Sequence, residues 1–478
     1  MLLFTKNIKS LGIYYLIGSF FGGVIGFSFS ICLRLELNNP FTVLGDYFYN
    51  VCLTSHGLVM LFYFLTPIIY SIYYIVIYNY NTYIKDFLKL LSIFSYFLYL
   101  VSTFFVVFSL IISESVNGAW TLYTPLTNID FNDSVGLDIL LFGLNLFLIS
   151  SIFNSIHIFW NSFLIILKSE SWLDAPIIVW SYFLTSTLSL ISTPSLFSVL
   201  VLLILDRNFG TYFFNVDLGG SVILFQVMFW LKNHPEVYEL LIPVFGLISK
   251  VLEILCKGFL YNRIGIIYSK IVLFLISMFV FGHHMTTVGW GLDFKGFFMI
   301  STLIISLPTG VKVFSWVYSL MIYGFRFSII TGFVSLFLIF FSIGGVTGVF
   351  LANYSLDLFF HDSYFVVGHF HMILVGSSIF GYLSGLFLVY SEILNFSKDM
   401  WFIRIVWILF FIIFSLGLLQ IIYFFHILGL IGNPRRVLLM SFNRNLNLHY
   451  SSISFLNIWF SFFLIIFLFL LRLVVIKI

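Results

Sequence analysis

The chain has 478 residues, of which 61% are hydrophobic and 9% charged, whereas a soluble globule carries about 25% charged residues, so a soluble fold is excluded. A net charge of +3 offers no basic field for nucleic acid. Three cysteines, Cys32, Cys52 and Cys256, stand far apart without a CxxC pair; neither a disulfide framework nor a thiolate metal site is indicated, and they read as inert core residues.

Apolar runs of about twenty residues predict roughly twelve spans, beginning near residues 11, 51, 87, 136, 176, 222, 264, 296, 328, 363, 402 and 452. Backbone groups in lipid must be satisfied within the segment, and the alternation of an outer-membrane barrel is absent. The expected fold is therefore all-α, a polytopic membrane helix bundle forming one domain over residues 1–478. The chain shows no internal repeat, low-complexity tract or soluble insertion; its longest stretches between spans run near 113–135, 206–221 and 425–451. No cleavable signal is visible, because the first span is too long and lacks a small-residue cleavage site, so targeting is expected through the spans. Sixty-four Phe and 27 Tyr are residues of A/T-rich codons, which points to synthesis inside an organelle.

If every span crosses, Lys6, Lys9, Lys85, Lys168, Lys257, Arg263, Arg326, Lys398, Arg404, Arg472 and Lys477 share the side of the N-terminus, and both termini lie inside. The opposite side holds chiefly Arg34, Arg207, Lys295, Arg435, Arg436 and Arg444. In chain order, the first span ends at Arg34 and Glu36, the second carries His56 and the third opens at Asp86. Trp120 lies in the loop before the fourth span, which carries Ser150, Ser151 and His157. The sixth span holds Lys232, Asn233, His234, Glu236, Tyr238, Glu239 and Ser249. His283 and His284 stand at the mouth of the seventh, Thr309 and Lys312 lie in the eighth, His361 and Asp362 precede the tenth, and His369 and His371 lie within it. Arg435 and Arg436 follow the eleventh.

Ten histidines are conspicuous in so apolar a chain, because a polar ring inside lipid needs a partner. For any one of them a hydrogen-bonded core histidine is the better reading; the joint pattern shifts the weight. At 100° per residue, His369 and His371 point to nearly opposite helix faces. Either two interhelical hydrogen bonds or axial bonds to a heme iron on each side would satisfy them. His234 has Tyr238 one turn beyond on the same face, and with His283 and His284 it makes three neutral nitrogen ligands, a set that suits copper over magnesium and leaves an open position. His56 remains to supply a further heme ligand. Adjacent Arg435 and Arg436 are costly unless anions hold them; an isolated Arg-Arg elsewhere would read as a solvated loop. Lys312 is ionisable within a span, where the plain reading is a snorkelling lysine. The polar signals cluster as histidines in the second half, which tilts against a transporter of two related halves.

Five stretches together carry a resemblance. Residues 230–238 end in HPEVY, 282–289 read GHHMTTVG, 308–316 read PTGVKVFSW, 344–371 read GGVTGVFLANYSLDLFFHDSYFVVGHFH and 428–436 read LGLIGNPRR. In this order and with twelve spans they resemble subunit I of the cytochrome c oxidases, in the heme-copper oxidase superfamily, from about residue 5 to 440. The resemblance implies a respiratory terminal oxidase that reduces O2 to water and translocates protons. Splitting the O–O bond in one event needs four electrons, which an iron, a copper and a phenol together provide.

By resemblance, His56 and His371 are the axial ligands of a low-spin heme a and His369 that of the oxygen-binding heme a. His234, His283 and His284 hold copper, and Tyr238 is the tyrosine covalently joined to the copper-ligating histidine one turn away. Arg435, Arg436 and Trp120 hold heme propionates, and Arg34 bonds the formyl group of the low-spin heme. His361 and Asp362 form part of a magnesium site shared with a second subunit, and Glu36 lies where some members bind a surface sodium or calcium. Lys312, Thr309, Ser249 and Tyr238 match one proton path; Glu236 matches the carboxyl where protons wait before transfer. Asp86, Ser150 and Ser151 match the second path, yet Lys85 stands where the family has Pro, the Asn-rich segment after it is missing, and His157 replaces an asparagine. Oxygen reduction is expected to be retained, with pumping stoichiometry the property in question.

Lys232 and Asn233 replace the family's Phe and Gly, and Glu239 an apolar residue; Lys232 and Glu236, four apart, are spaced to pair. The Gly-rich stretch after the second span is replaced by Tyr and Ile. The implied partners are a copper-bearing subunit II, a subunit III, cytochrome c, O2 and membrane lipids, with no nucleic acid. The implied location is the mitochondrial inner membrane with both termini in the matrix; a bacterial plasma membrane is the alternative. The nearest rival function is quinol oxidation within the superfamily. A nitric oxide reductase is disfavoured by the presence of Tyr238, and a transporter or purely structural subunit would need six fortuitous histidines.

Overall fold

Backbone that must satisfy its own hydrogen bonds in lipid becomes helix, and the described residues of this computed structural model are helical apart from loops and one isolated bridge between Ser363 and Pro434. The structure describes residues 8–38, 43, 45–80, 86–112, 118–323, 328–393 and 401–438. In chain order the α-helices are α1 (Ile8–Asn38), α2 (Asp46–Leu58), α3 (Thr66–Val76), α4 (Asp86–Ile112), α5 (Val135–Lys168), α6 (Ile177–Asn208), α7 (Val222–Leu255), α8 (Arg263–Ser277), α9 (Leu292–Ile304), α10 (Ser306–Tyr323), α11 (Ile329–Ala352), α12 (Tyr354–Phe360), α13 (Tyr364–His371), α14 (Phe380–Ile393) and α15 (Trp401–Leu430).

Nine stretches among the described residues are long and apolar enough to cross a membrane. Two more expected spans coincide with helices that fail that measure: α7 is interrupted by Lys232, Glu236, Glu239, Lys250 and Glu253, and α8 is short. The twelfth, beginning near 452, lies outside the described residues, as do Lys6, Lys85, Arg326, Lys398, Arg444, Arg472 and Lys477.

Helix ends follow local chemistry. Ser134, Ser221 and Ser328 cap α5, α7 and α11 by accepting backbone N–H bonds, the last in a reciprocal capping box with Thr331. The break between α9 and α10 falls just before Pro308, which has no N–H to offer Ile304. Pro235 and Pro243 lie inside α7 without ending it, and Tyr382 donates to the Leu240 carbonyl at 2.6 Å.

Two π-helical stretches, Val59–Leu65 and Met372–Ile379, continue α2 and α13, the first beginning three residues after His56 and the second directly after His371. Their widened turns are served by hydroxyls five residues on: Thr66 donates to Leu61, Ser377 to Met372 and Ser378 to Ile373. Such insertions gather at functional sites.

In the bundle α5 lies between α4 and α6, α6 runs along α7, α1 packs on α2 and α3, α15 on α13, and α14 on both α7 and α11. A methyl at Gly22 would meet the Tyr63 carbonyl at 2.3 Å, and one at Gly429 the Phe365 amide at 2.1 Å, so these two contacts require glycine. Buried Tyr15, Tyr73, Tyr74, Tyr182, Phe245 and Trp316 fill the interior.

Candidate functional site

Between these helices lies a cavity of about 870 Å³, within the size of cofactor sites. Its walls include His56, His234, Tyr238, His283, His284, His369 and His371, residues drawn from four separate parts of the chain.

At one part of the wall, α7 presents His234 and Tyr238 one turn apart, their ring centroids 4.9 Å from each other. A 3-10 helix over Phe281–Met285 brings in His283 and His284; Gly282 is needed there, because a methyl would sit 2.4 Å from the Phe298 ring. His234 Nδ1 faces His284 Nε2 at 3.0 Å, and one ligand atom from each of the three rings lies within 4.8 Å of the others. Nitrogens about 2 Å from a shared ion sit roughly 3 to 3.5 Å apart, so the set fits a metal. His284 lies flat on Trp230 at 3.8 Å. His283 Nδ1 stands 3.1 Å from Thr302 Oγ1, whose own hydrogen goes to the Phe298 carbonyl. The ring is therefore assigned as donor through Nδ1, which leaves its Nε2 lone pair available.

The other three rings follow the same rule. His56 Nδ1 donates to the Gly26 carbonyl at 2.9 Å and His371 Nδ1 to the Val367 carbonyl at 2.9 Å. His369 Nδ1 stands 2.9 Å from Thr347 Oγ1, itself a donor to Gly344. Each imidazole is thus fixed in the tautomer whose Nε2 can bind iron. Gly348 leaves room for the His369 ring, which a methyl would meet at 2.9 Å. The donor set fits two hemes and a copper ion.

Arg34, Trp120, Arg435 and Arg436 also line the cavity. Trp120 packs edge-on against Trp230 and close to Gly57, and the Arg34 guanidinium lies 5.1 Å over the Phe425 ring. Arg435 is held by Asp362, with Nε donating at 2.7 Å. Burial alone would raise the Asp362 carboxyl, but Arg435, His361 and Arg436 hold it below the ordinary carboxylate range. Burial, then the like charge of Arg435, pushes Arg436 down to about 10, which leaves it cationic at neutral pH. Among the described residues its hydrogen bond is a long contact of 3.5 Å to Thr121. Two adjacent cations on a cavity wall, one weakly partnered, suit an anionic group such as a propionate.

His361 and Asp362 turn to different partners. His361 Nδ1 bonds Asp357 at 3.1 Å, while its Nε2 is 3.9 Å from the Asp362 carboxylate. Both Glu36 oxygens accept from the Val43 amide, at 3.0 and 3.2 Å.

The proton-path residues are spread over three places. Lys312 is fully buried, makes no hydrogen bond among the described residues and lies 4.5 Å over the Phe245 ring. Ser249 donates to Phe245 and accepts from Trp316, while Thr309 caps back onto Ile305; no direct hydrogen bond links these residues to Tyr238. Ser150 and Ser95 bond reciprocally, continuing to Tyr15, Asn154 and Tyr74. Ser151 bonds back to Leu148, and His157 donates to the Leu88 carbonyl. Asp86 is a surface group, its side chain 95% exposed beside Lys89. The Lys232–Glu236 pairing expected from spacing is not formed. Lys232 reaches two turns along to both oxygens of Glu239 at 2.6 Å, where Ser192 also donates, while Glu236 and Glu239 border a second, far smaller cavity with Tyr70 and Ser155.

Sequence reasoning did not find Thr302, Thr347, Trp230 or the Gly26 carbonyl as supports of the histidines, nor Asp357. Trp230 stands four residues before His234 and was within reach of helical spacing; the others come from distant segments and carry no local signal. Arg207 was counted only as a loop cation, yet it is buried, pairs with Asp138 at 2.6 Å and donates to the carbonyls of Thr127, Asn132 and Ser134.

Comparison with known proteins follows the same outline. The model of the cytochrome c and quinol oxidase polypeptide I family matches residues 10–471. Cytochrome c oxidase subunit 1 of Leishmania tarentolae is 36% identical over 439 residues, covering 90% of this chain and 78% of that protein. The same subunit of Candida albicans is 33% identical over 440 residues, covering 91% and 82%. A solved heme-copper terminal oxidase dimer, 18% identical, shares the fold with a TM-score of 0.78 over 96% of this chain and 83% of that one.

Proposed function

The chain belongs to the cytochrome c and quinol oxidase polypeptide I family, and from that premise we propose that it is the catalytic subunit of a cytochrome c oxidase. It works as one membrane unit, receiving electrons from cytochrome c, reducing O2 to water and translocating protons. The observation that carries this reading is the convergence of His234, His283 and His284 beside Tyr238 in one cavity with His369.

When bound, two hemes and a copper ion supply the electron transfer and the four-electron reduction. His56 and His371 hold the low-spin heme, His369 the oxygen-binding heme, and His234, His283 and His284 the copper. The Nδ1 bonds of His56, His283, His369 and His371 keep those rings from turning, so their Nε2 atoms are aimed before anything binds. Arg435, Arg436 and Trp120 hold propionates and Arg34 a peripheral heme substituent. Tyr238 offers a phenolic proton at the cavity wall, one turn from His234. The three-nitrogen set leaves room for a small ligand such as O2.

Moving one charge across a membrane costs about 2.3 kcal/mol per 100 mV, so protons need defined carriers. Lys312, with Thr309 and Ser249, lies on the route toward Tyr238. Glu236 stores a proton at the end of the second route, which Asp86, Ser150 and Ser151 begin; the Ser150 to Tyr74 hydrogen-bond chain is the best-formed part of it. His361 and Asp362 bind magnesium at the border with a copper-bearing second subunit, and Glu36 is the weaker place for a sodium or calcium ion, since its carboxylate is engaged by Val43. Further oxidase subunits, subunit III among them, cover the outer faces. The location is the mitochondrial inner membrane with both termini on the matrix side.

Reduced-minus-oxidised spectra of the purified complex with and without carbon monoxide, with heme extraction and copper analysis, test this. Two a-type hemes, only one binding carbon monoxide, together with copper are expected. Only b- or o-type heme would transfer the reading to quinol oxidation, and absence of heme would overturn it.

A further inference from the structure

The smaller of the two cavities, about 20 Å³, lies where α3, α5, α6 and α7 meet. Roughly 10–15 Å³ is enough to hold one water molecule, provided that a few polar groups face it. Much of the polar wall is already engaged. Glu239 is held by Lys232 and Ser192. The hydroxyls of Thr66, Tyr182, Thr185 and Ser186 give their hydrogens to the carbonyls of Leu61, Ile69, Ser181 and Phe183. Each of these hydroxyl oxygens keeps a lone pair that can accept.

Three other groups on the wall are not engaged. Tyr70 on α3, Ser155 on α5 and Glu236 on α7 are only 8%, 2% and 6% exposed, and their side chains make no hydrogen bond among the described residues, yet all three border this cavity. A buried polar group without a partner is penalised, and native interiors leave few of them. Two of the three are hydroxyls and the third is a carboxyl, so they come from three helices with both donors and acceptors, and one shared water serves all three. Glu236 also borders the large cavity; it stands in the wall between the two. Tyr70 belongs to the Tyr- and Ile-rich stretch, and Glu239 to the α7 substitutions, by which this chain departs from its family.

We propose that the small cavity binds one water, which accepts hydrogen bonds from Tyr70 and Ser155 and donates one to the Glu236 carboxyl, and that Tyr70 and Ser155 are thereby positioning residues for Glu236. The second hydrogen of the water has the Tyr182 and Glu239 oxygens as acceptors. The inference rests on the reading of Glu236 as the proton store and adds what fixes that store in place: α3 and α5, acting through a water, as well as its own helix.

The test uses the assembled oxidase complex and its Tyr70→Phe, Ser155→Ala and Glu236→Gln variants, each normalised to heme content. A cryo-EM map that resolves ordered water is expected to show one water within hydrogen-bond distance of Tyr70 Oη, Ser155 Oγ and the Glu236 carboxyl. Infrared difference spectra between the reduced and oxidised complex give a second readout, the C=O stretch of the protonated Glu236 carboxyl, identified by its loss in Glu236→Gln. In Tyr70→Phe this band is expected at higher wavenumber, because a carbonyl that loses a hydrogen bond stiffens; packing support alone would leave it where it was. Ser155→Ala removes only a hydroxyl, is expected to move the band the same way, and serves if Tyr70→Phe does not assemble. A dry cavity in the map, or a band unmoved in the variants that assemble, would overturn the proposal. Full turnover and proton translocation in Glu236→Gln would instead overturn the reading of Glu236 beneath it.

Discussion

Each candidate ligand histidine is defined as much by the nitrogen it does not offer to a metal as by the one it does. His56, His369 and His371 use Nδ1 on Gly26, Thr347 and Val367, and in an interior without water a ring so engaged has only Nε2 left for chemistry. His234 differs: it is the least exposed of the copper set and its Nε2 has no hydrogen bond. Replacing it should remove the metal without dismantling the heme cradle, because His56 and His371 are oriented by other segments. His234→Asn is expected to abolish oxygen consumption and to lower copper per heme by at least half, while the low-spin heme band persists. Metal analysis and optical spectra of the same preparation check this, and unchanged copper would remove His234 from the ligand set.

At the level of elements, α7 holds more charged side chains than any other described helix, and its Lys232–Glu239 pair shows how a helix with Pro235 and Pro243 in its interior accommodates them. Both side chains are nearly buried, at 4% and 11% exposure. Removing one partner of a buried pair strands the other and costs about 3–5 kcal/mol, whereas exchanging both for apolar groups of similar volume is often neutral. Glu239→Gln should therefore lower the thermal stability of the solubilised complex clearly, and Lys232→Phe combined with Glu239→Val should restore most of it. Thermal denaturation of the single and double variants gives the coupling directly; additive losses would mean that the pair contributes nothing as a pair. Spacing alone pointed to Glu236 as the partner of Lys232. Position i+4 and position i+7 lie on nearly the same face, and Ser192 on α6 selects the farther carboxylate by donating to it.

Over the whole molecule, the division of cations between loops is the basis of the proposed orientation of the bundle. Lys257 and Asp217 lie just beyond opposite ends of α7, both exposed, so a membrane-crossing α7 would carry them to opposite sides. Lys257→Cys is expected to react with an impermeant thiol reagent only from the matrix side and Asp217→Cys only from the other, the three native cysteines being first replaced. Labelling of both from one side would contradict a crossing α7, the helix too polar to qualify as a span by composition.

That case also marks where composition stopped being informative. The all-α bundle, the starts of the spans and the histidine spacing are consequences of local rules: a run of apolar side chains must be helix in lipid, and helical angle places His369 against His371 and His234 beside Tyr238 whatever surrounds them. These were legible in the sequence, and the match to the oxidase family added roles that spacing could not assign. Which atoms meet across the bundle was not legible. That Thr302 fixes His283, that Arg207 ties Asp138 to three loop carbonyls, that Asp362 turns to Arg435, and that Lys270 ends on Ser181 are contacts between residues 19 to 89 positions apart. Buried polar groups accept whichever partner removes the penalty of desolvation, and only the packing of helices decides which partner is within reach.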